Sequence, residues 1–329
     1  MALPFREFLA EQRLNLPLLA TTKTCSGGTY IVTGANTGLS FETAKHLVGL
    51  KAAKVIIAVR NTTAGETAKA EIEAATNIRG VVEVWTLDLA NFDSVKVFAK
   101  KVNDKLDRID ALVENAGIAL LTWAMAEGHE SSITVNVLGT LLLAVLLLPK
   151  MAESAQRFGI LPHLVIVMSE VGFTAKAQFD NVKDDPFVKM NTKDMTDRYQ
   201  LSKLMQVFAV RQLAALAPVS RTGVVVNCVN PGLCKTKLSR HGPFHLRMLL
   251  AGANMMLRRT VEMGSRTILY AAVAEKESHG CYTSACEMKE NQVPSWITDE
   301  DGQQAQKRIW YGLVKELESV EPGYVKKIL

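Results

Sequence analysis

The sequence predicts an α/β fold: one domain built on a doubly wound parallel sheet of about seven strands. Three observations lead there. From residue 29 onward, short runs rich in β-branched residues alternate with stretches of helical periodicity. The runs are apolar throughout rather than at every second position, as strands covered on both faces must be. The first run passes through a glycine turn straight into a helix, and no repeat or low-complexity linker divides the chain. Parallel neighbours require right-handed crossovers, which the intervening helices supply.

Each element follows in order. TYIVTG (29–34) reads as a buried strand and LSFETAKHLVGL (39–50) as a helix. KVIIAVR (54–60) and VVEVWTLDL (81–89) are the next strands, each followed by a helix, at 62–76 and 91–106. IDALVENAG (109–117) is a strand leading to a long helix near 128–157. HLVIVMS (163–169) is a strand, then comes an irregular insertion, then a helix from about 195 to 216. GVVVNCVNPG (223–232) is a strand, 260–274 a helix, and GCYTSA (280–285) a last short strand. A helix with an Asp-rich start is expected over 299–320. The division expected is an N-terminal extension (1–27), the main domain (28–290) and a C-terminal helical extension (291–329). Within the main domain, 233–258 is expected to cover the substrate.

The chain has 329 residues, 48% hydrophobic and 22% charged, which suits one large domain. Its net charge of +5 is spread out, without the basic cluster that a nucleic-acid partner needs. Five cysteines and six histidines show no metal-ligand spacing, so no metal is expected and the thiols read as reduced, in the cytoplasm. The N-terminus carries Arg6, Glu7, Glu11 and Arg13, which breaks any signal-peptide core; an amphipathic helix over about 4–14 is expected. The apolar run Leu138–Pro149 is too short to span a bilayer and reads as a core helix. No stable membrane span is expected.

Chemistry concentrates at four places. Tyr199 and Lys203 stand four residues apart in DRYQLSKL, on one helical face. An ammonium there is expected to stabilise phenolate and draw the phenol below its ordinary pKa of about 10. Gly34 permits a tight turn and Gly38 lets a pyrophosphate approach a helix N-terminus. Arg60 follows the second strand where an acid would select NAD; a guanidinium there favours the 2′-phosphate of NADP. Asp88 ends the third strand, either accepting from an adenine amino group or capping its loop.

In this order the segments resemble the short-chain dehydrogenase/reductase family, over about residues 28–285. The turn Thr33–Ser40, Asp88, Asn115-Ala116-Gly117, Asn136 in TVNVLGT, Ser169, Tyr199, Lys203 and NPGLCKT (230–236) carry the likeness. VIIAVRN, LVENAG and the long insertion before Tyr199 are similar to retinol-dehydrogenase-like fungal reductases, many from secondary-metabolite pathways. The resemblance implies a Rossmann-type fold and a catalytic tetrad of Asn136, Ser169, Tyr199 and Lys203. It implies nucleotide contacts from Gly34, Asn36, Thr37, Gly38, Leu39, Arg60, Asp88, Leu89, Asn115, Ala116 and Gly117. Tyr199, Lys203, Pro231, Gly232 and Thr236 complete that set. Ser169 would orient a carbonyl, Tyr199 would exchange its proton, and Asn136 would hold a water leading to Lys203.

The implied function is NADP(H)-dependent interconversion of a ketone and a secondary alcohol. The Leu- and Met-rich stretch 233–258 and the insertion 170–198 suit a bulky, mostly apolar substrate. A non-redox isomerase, dehydratase or cyclase using Tyr199 as proton donor is the alternative, and a nucleotide-sensing protein without turnover a third. Family members pair through the long helices, so a homodimer is possible. Two departures stand out: Ser40 replaces the third turn glycine, with some loss of helix–strand closeness expected, and Glu114 replaces a frequent asparagine.

Overall fold

The computed structural model describes residues 5–195, 197–236 and 258–325. Eight strands form the main sheet, in the order β10-β9-β8-β7-β4-β1-β2-β3. They are β1 (Thr29–Thr33), β2 (Lys54–Val59), β3 (Val82–Thr86), β4 (Ala111–Glu114), β7 (His163–Val167), β8 (Val225–Asn230), β9 (Tyr282–Ser284) and β10 (Glu287–Met288). All neighbours are parallel except β9 and β10, which form an antiparallel hairpin. The sequence analysis expected about seven strands; the eighth is a two-residue piece too short to carry any periodicity. A separate hairpin, β5 (Met125–Ala126) with β6 (His129–Glu130), leads into the long helix.

The sheet is covered on both faces because its strands carry apolar residues at both parities. Ile31, Leu112, Leu164, Ile166 and Val226 enter one core cluster, together with side chains of helices Phe92–Lys105, Thr140–Phe158 and Arg198–Leu216. Val32, Val113, Val165 and Val229 enter the other, with helices Gly38–Gly49, Thr62–Thr76 and Val261–Ala271. The stretch Ser131–Phe158 is long and apolar enough to cross a membrane, but its apolar window is wholly buried in this fold. It is a core helix.

The insertion expected to be irregular contains a 3-10 turn (Glu170–Thr174) and two short helices, Lys176–Val182 and Pro186–Lys189. Asp185 starts the second by accepting from Val188 N, with Pro186 at the first helical position. Both chain ends are helical, Phe5–Gln12 and Glu300–Val320. Asp299 caps the latter at Gly302 N, and its inner face (Ile309, Trp310, Leu313, Leu317) is buried in the first cluster. Tyr324 donates to Leu146 O at 3.1 Å and Gln306 to Gln212 Oε1 at 2.9 Å, so the C-terminal extension touches both long helices expected to mediate a dimer.

Candidate active site

The carboxyl ends of β1, β4, β7 and β8 bring the expected site residues to one edge of the sheet, the edge where open α/β sheets bind ligands. After β1, Gly34 takes φ 68° and Gly38 φ 67°, the left-handed region that suits glycine. A Cβ on Gly34 would come within 3.2 Å of Ala116, so the glycine sets how closely the first turn meets the segment after β4. Gly38 opens the helix Gly38–Gly49, and around it a Cβ would meet nothing within 4 Å. Thr37 stands at the N-cap with extended backbone and no side-chain cap. The first amides of this helix therefore remain available to an anion. Asn36, Thr37 and Gly38 are partly accessible and Leu39 is buried beneath them.

Ser40 does more than the sequence suggested. Its hydroxyl donates to Thr33 O at 2.8 Å and accepts from Asn115 Nδ2 at 2.5 Å. Thr33 Oγ1 in turn accepts from Asn115 N and Ala116 N. The serine thus ties the turn to the Asn-Ala-Gly segment, where a looser contact was expected. Arg60 is exposed directly after β2 and has no hydrogen-bonding or ionic partner among the described residues. Asp88 caps its own loop, with Oδ1 accepting from Ala90 N at 3.0 Å. The Leu89 carbonyl abuts Gly139 and leaves no room there for a Cβ.

The four residues of the expected tetrad lie just after β7, on the helix Arg198–Leu216 and in the turn that opens the long helix. Ser169 follows β7 and lies close enough to the Tyr199 phenol to draw its pKa down. Tyr199 and Lys203 share the helix Arg198–Leu216, with Lys203 Nζ 5.7 Å from the Tyr199 ring centre. Arg198, buried just before the tyrosine, places Nε 4.0 Å from the buried carboxylate of Glu130 at the start of the long helix. Asn136 lies in a π-helical turn, Thr134–Gly139, and is wholly buried. Its side chain joins Ile118 N, Ile118 O and Ser202 Oγ. Gly117 has to be small: a Cβ there would stand 3.1 Å from Asn136 Oδ1 and 3.8 Å from Lys203 Nζ.

One expectation is revised. Burial pushes Tyr199 up to about 12, only partly offset by Ser169, and pushes Lys203 down to about 7. The protein by itself therefore favours neutral phenol and weakly held ammonium over the phenolate–ammonium pair, because removal from water penalises each charge. Lys203 Nζ donates to Val167 O and Gln206 Oε1, both at 2.9 Å. The main-chain oxygen of Asn136 accepts from Gln206 Nε2 at 2.5 Å.

A cleft of about 640 Å³ between helix Arg198–Leu216 and the C-terminal extension, lined by Arg211, Glu290, Gln303 and Gln306, contains none of the tetrad. Leu233 and Thr236 follow Pro231 and Gly232 after β8, and residues 237–257, most of the expected substrate wall of 233–258, lie outside the described residues. No group of three or more potential metal ligands occurs among the described residues.

Residues 29–181 match the family model for short chain dehydrogenase. A short chain dehydrogenase/reductase of Cryptosporiopsis sp., dmxR8, is 41% identical over 305 residues, covering 91% of this chain and 93% of that one. The chain belongs to the short-chain dehydrogenase/reductase family. The short chain dehydrogenase atnD of Emericella nidulans is 43% identical over 263 residues, 77% of this dehydrogenase and 82% of that protein. Among solved structures, a putative short chain dehydrogenase from Escherichia coli CFT073, complexed with NADPH, superimposes with a TM-score of 0.61 at 21% identity, covering 81% of this chain and 99% of that one. A nicotinamide nucleotide is the cofactor class of such an oxidoreductase, and the uncapped helix, the Gly34 turn and the open space at Gly38 fit one.

Several site residues of this dehydrogenase escaped the sequence analysis. Gln12, from the N-terminal helix, grips Leu233 at both backbone groups. Arg259 reaches Pro231 O and the Glu11 carbonyl. Glu170, next to Ser169, is pushed up to about 7 by burial and by Glu11, against the pull of Arg259. Only the position of Glu170 beside Ser169 was a signal readable in advance.

Proposed function

We propose that this dehydrogenase uses NADP(H) to interconvert a ketone and a secondary alcohol on a bulky, mostly apolar secondary metabolite. The observation that carries the reading is the placing of Lys203 Nζ 5.7 Å from the Tyr199 ring centre, with Ser169 beside the phenol and the uncapped glycine turn at the same sheet edge. Arg60, exposed and without a partner among the described residues, supports the 2′-phosphate of NADP over NAD. The five cysteines are all free, in keeping with the cytoplasm.

Bound there, the reduced nicotinamide supplies hydride to a carbonyl carbon. Tyr199, held neutral by its burial, carries the proton that the carbonyl oxygen takes up. Ser169 donates to the same oxygen as its negative charge develops, since a preplaced donor stabilises the alkoxide without reorganisation. Lys203 supplies positive charge one turn away, anchored on Val167 O.

The test compares extracts with and without the protein, supplied with NADPH, for substrate loss and for decline of the reduced cofactor's near-ultraviolet absorbance. Both should fall in step. Tyr199→Phe, which deletes only the proton donor, should lower turnover at least about 100-fold and leave NADPH binding within about twofold. Product formed without cofactor oxidation would favour the isomerase, dehydratase or cyclase reading.

A further inference from the structure

The environment of Lys203 contains a side chain that no comparison assigns. Gln206 is one turn further along the same helix and is 1% exposed. Its two amide ends face different partners: Oε1 accepts from Lys203 Nζ at 2.9 Å, and Nε2 donates to the main-chain oxygen of Asn136 at 2.5 Å. Chemistry dictates this orientation. An ammonium offers only donors and a carbonyl only lone pairs, so the flipped amide would set donor against donor and acceptor against acceptor.

We propose that Gln206 is a positioning residue of the active site, a fixed bridge that holds the Lys203 ammonium against the end of β7 and locks it to the π-helical turn of Asn136. The bridge is a carboxamide, which differs from the water that the family resemblance implies at Asn136. A water adjusts its donors and passes protons; a carboxamide has one donor end and one acceptor end and keeps its protons. Gln206 therefore sets the lysine's position and its proton affinity together. Two of the three ammonium hydrogens are committed, to Val167 O and to Gln206 Oε1, and one is left for the Tyr199 side. Burial without this acceptor would leave the charge with Val167 O alone.

Two other titratable groups stand on the lysine's own helix and on the sheet behind that helix. Tyr199 stands one turn earlier on the same helix, its ring centre 5.7 Å from Nζ. Glu114 ends β4, two residues after Leu112, on the sheet face against which this helix packs. Both Glu114 carboxyl oxygens are buried with no hydrogen-bond partner among the described residues, and burial keeps the group protonated well above the ordinary carboxylate range. Neither group supplies the lysine with a permanent counter-charge at neutral pH, which leaves neutral acceptors to stabilise it.

The inference rests on Lys203 belonging to the catalytic set, but its test reads Lys203 directly and does not require hydride transfer. The full chain is labelled with 13C at lysine Cε, and the Lys203 signal is assigned by its loss in Lys203→Met. Its ionisation is then followed by NMR in wild type, Gln206→Leu and Gln206→Glu, with melting temperatures measured alongside. Gln206→Leu removes the acceptor, so the Lys203 midpoint should fall by about one pH unit. Gln206→Glu keeps an acceptor and adds charge, so the midpoint should rise by about one unit or more. The same variant sets a carboxylate oxygen against Asn136 O, so its melting temperature should fall. Opposite shifts from two variants of similar size are the signature of a positioning role. Should either variant that retains its fold leave the midpoint within about 0.2 units of wild type, or should both move it the same way, the bridge has no hold on the lysine and the proposal fails. Loss of cofactor oxidation with the opposite shifts intact would overturn the redox reading and leave this one standing.

Discussion

The helices Phe5–Gln12 and Glu300–Val320 both lie outside the strand–helix alternation, yet they attach to it differently. The C-terminal helix is joined by apolar surface: Ile309, Trp310, Leu313 and Leu317 share a core with Phe179, Phe187 and Phe208, behind the helix that carries Tyr199 and Lys203. Its polar links, Gln306 to Gln212 and His129 to Glu316, sit outside that face. The N-terminal helix is held mainly by hydrogen bonds. Gln12 binds both backbone groups of Leu233, Arg259 reaches the Glu11 carbonyl, and Gln292 donates to Glu11 Oε2. Behind it, among the described residues, a small cluster of Leu16, Ala285 and Cys286 is buried. An apolar joint belongs to the cooperative core, whereas a polar joint on Pro231–Cys234 shapes the site edge at little cost to the whole. The first extension should therefore govern the site, and the second the stability of the helix behind it.

Three substitutions sharpen or break that contrast. Leu313→Ala should destabilise the protein by about 2–5 kcal/mol, since it leaves a cavity in a closed core. Urea unfolding measures this, and a loss below about 1 kcal/mol would mean that the C-terminal helix is not part of the core. Gln12→Leu, which deletes both bonds to Leu233, should cost about 1–2 kcal/mol. Its larger effect should be local, as faster amide hydrogen exchange at residues 231–234, which the polar clamp protects. Unchanged exchange there would remove the N-terminal helix from the site.

The smallest effect concerns pH. Glu170 rises from an ordinary 4.5 to about 7, so the folded state holds this proton more tightly than the unfolded one. The associated stability is fully present below about 4.5 and is lost as pH rises through about 7. A carboxamide in its place does not ionise, so Glu170→Gln should gain melting temperature relative to wild type as pH rises from 4.5 to about 8. Equal differences at both ends of that range would show that Glu170 is not held between Glu11 and Arg259 as described.

Much of this molecule is written locally. The period of each apolar run, the glycines flanking Asn36 and Thr37, and the four-residue spacing of Tyr199 and Lys203 are short-range patterns, and the sheet, the turn and the order of the tetrad follow from them. The two-residue β10 and the helices inside 170–198 escaped because neither is long enough to establish a period. What only the tertiary structure decided are contacts across the chain. Gln206 meets Asn136 over 70 residues and Gln12 meets Leu233 over 221. The Tyr199 and Lys203 pKa values moved with burial rather than with spacing. Sequence spacing places two groups on one helical face, but the proton affinity of each depends on how much water and which acceptors the rest of the fold leaves around it.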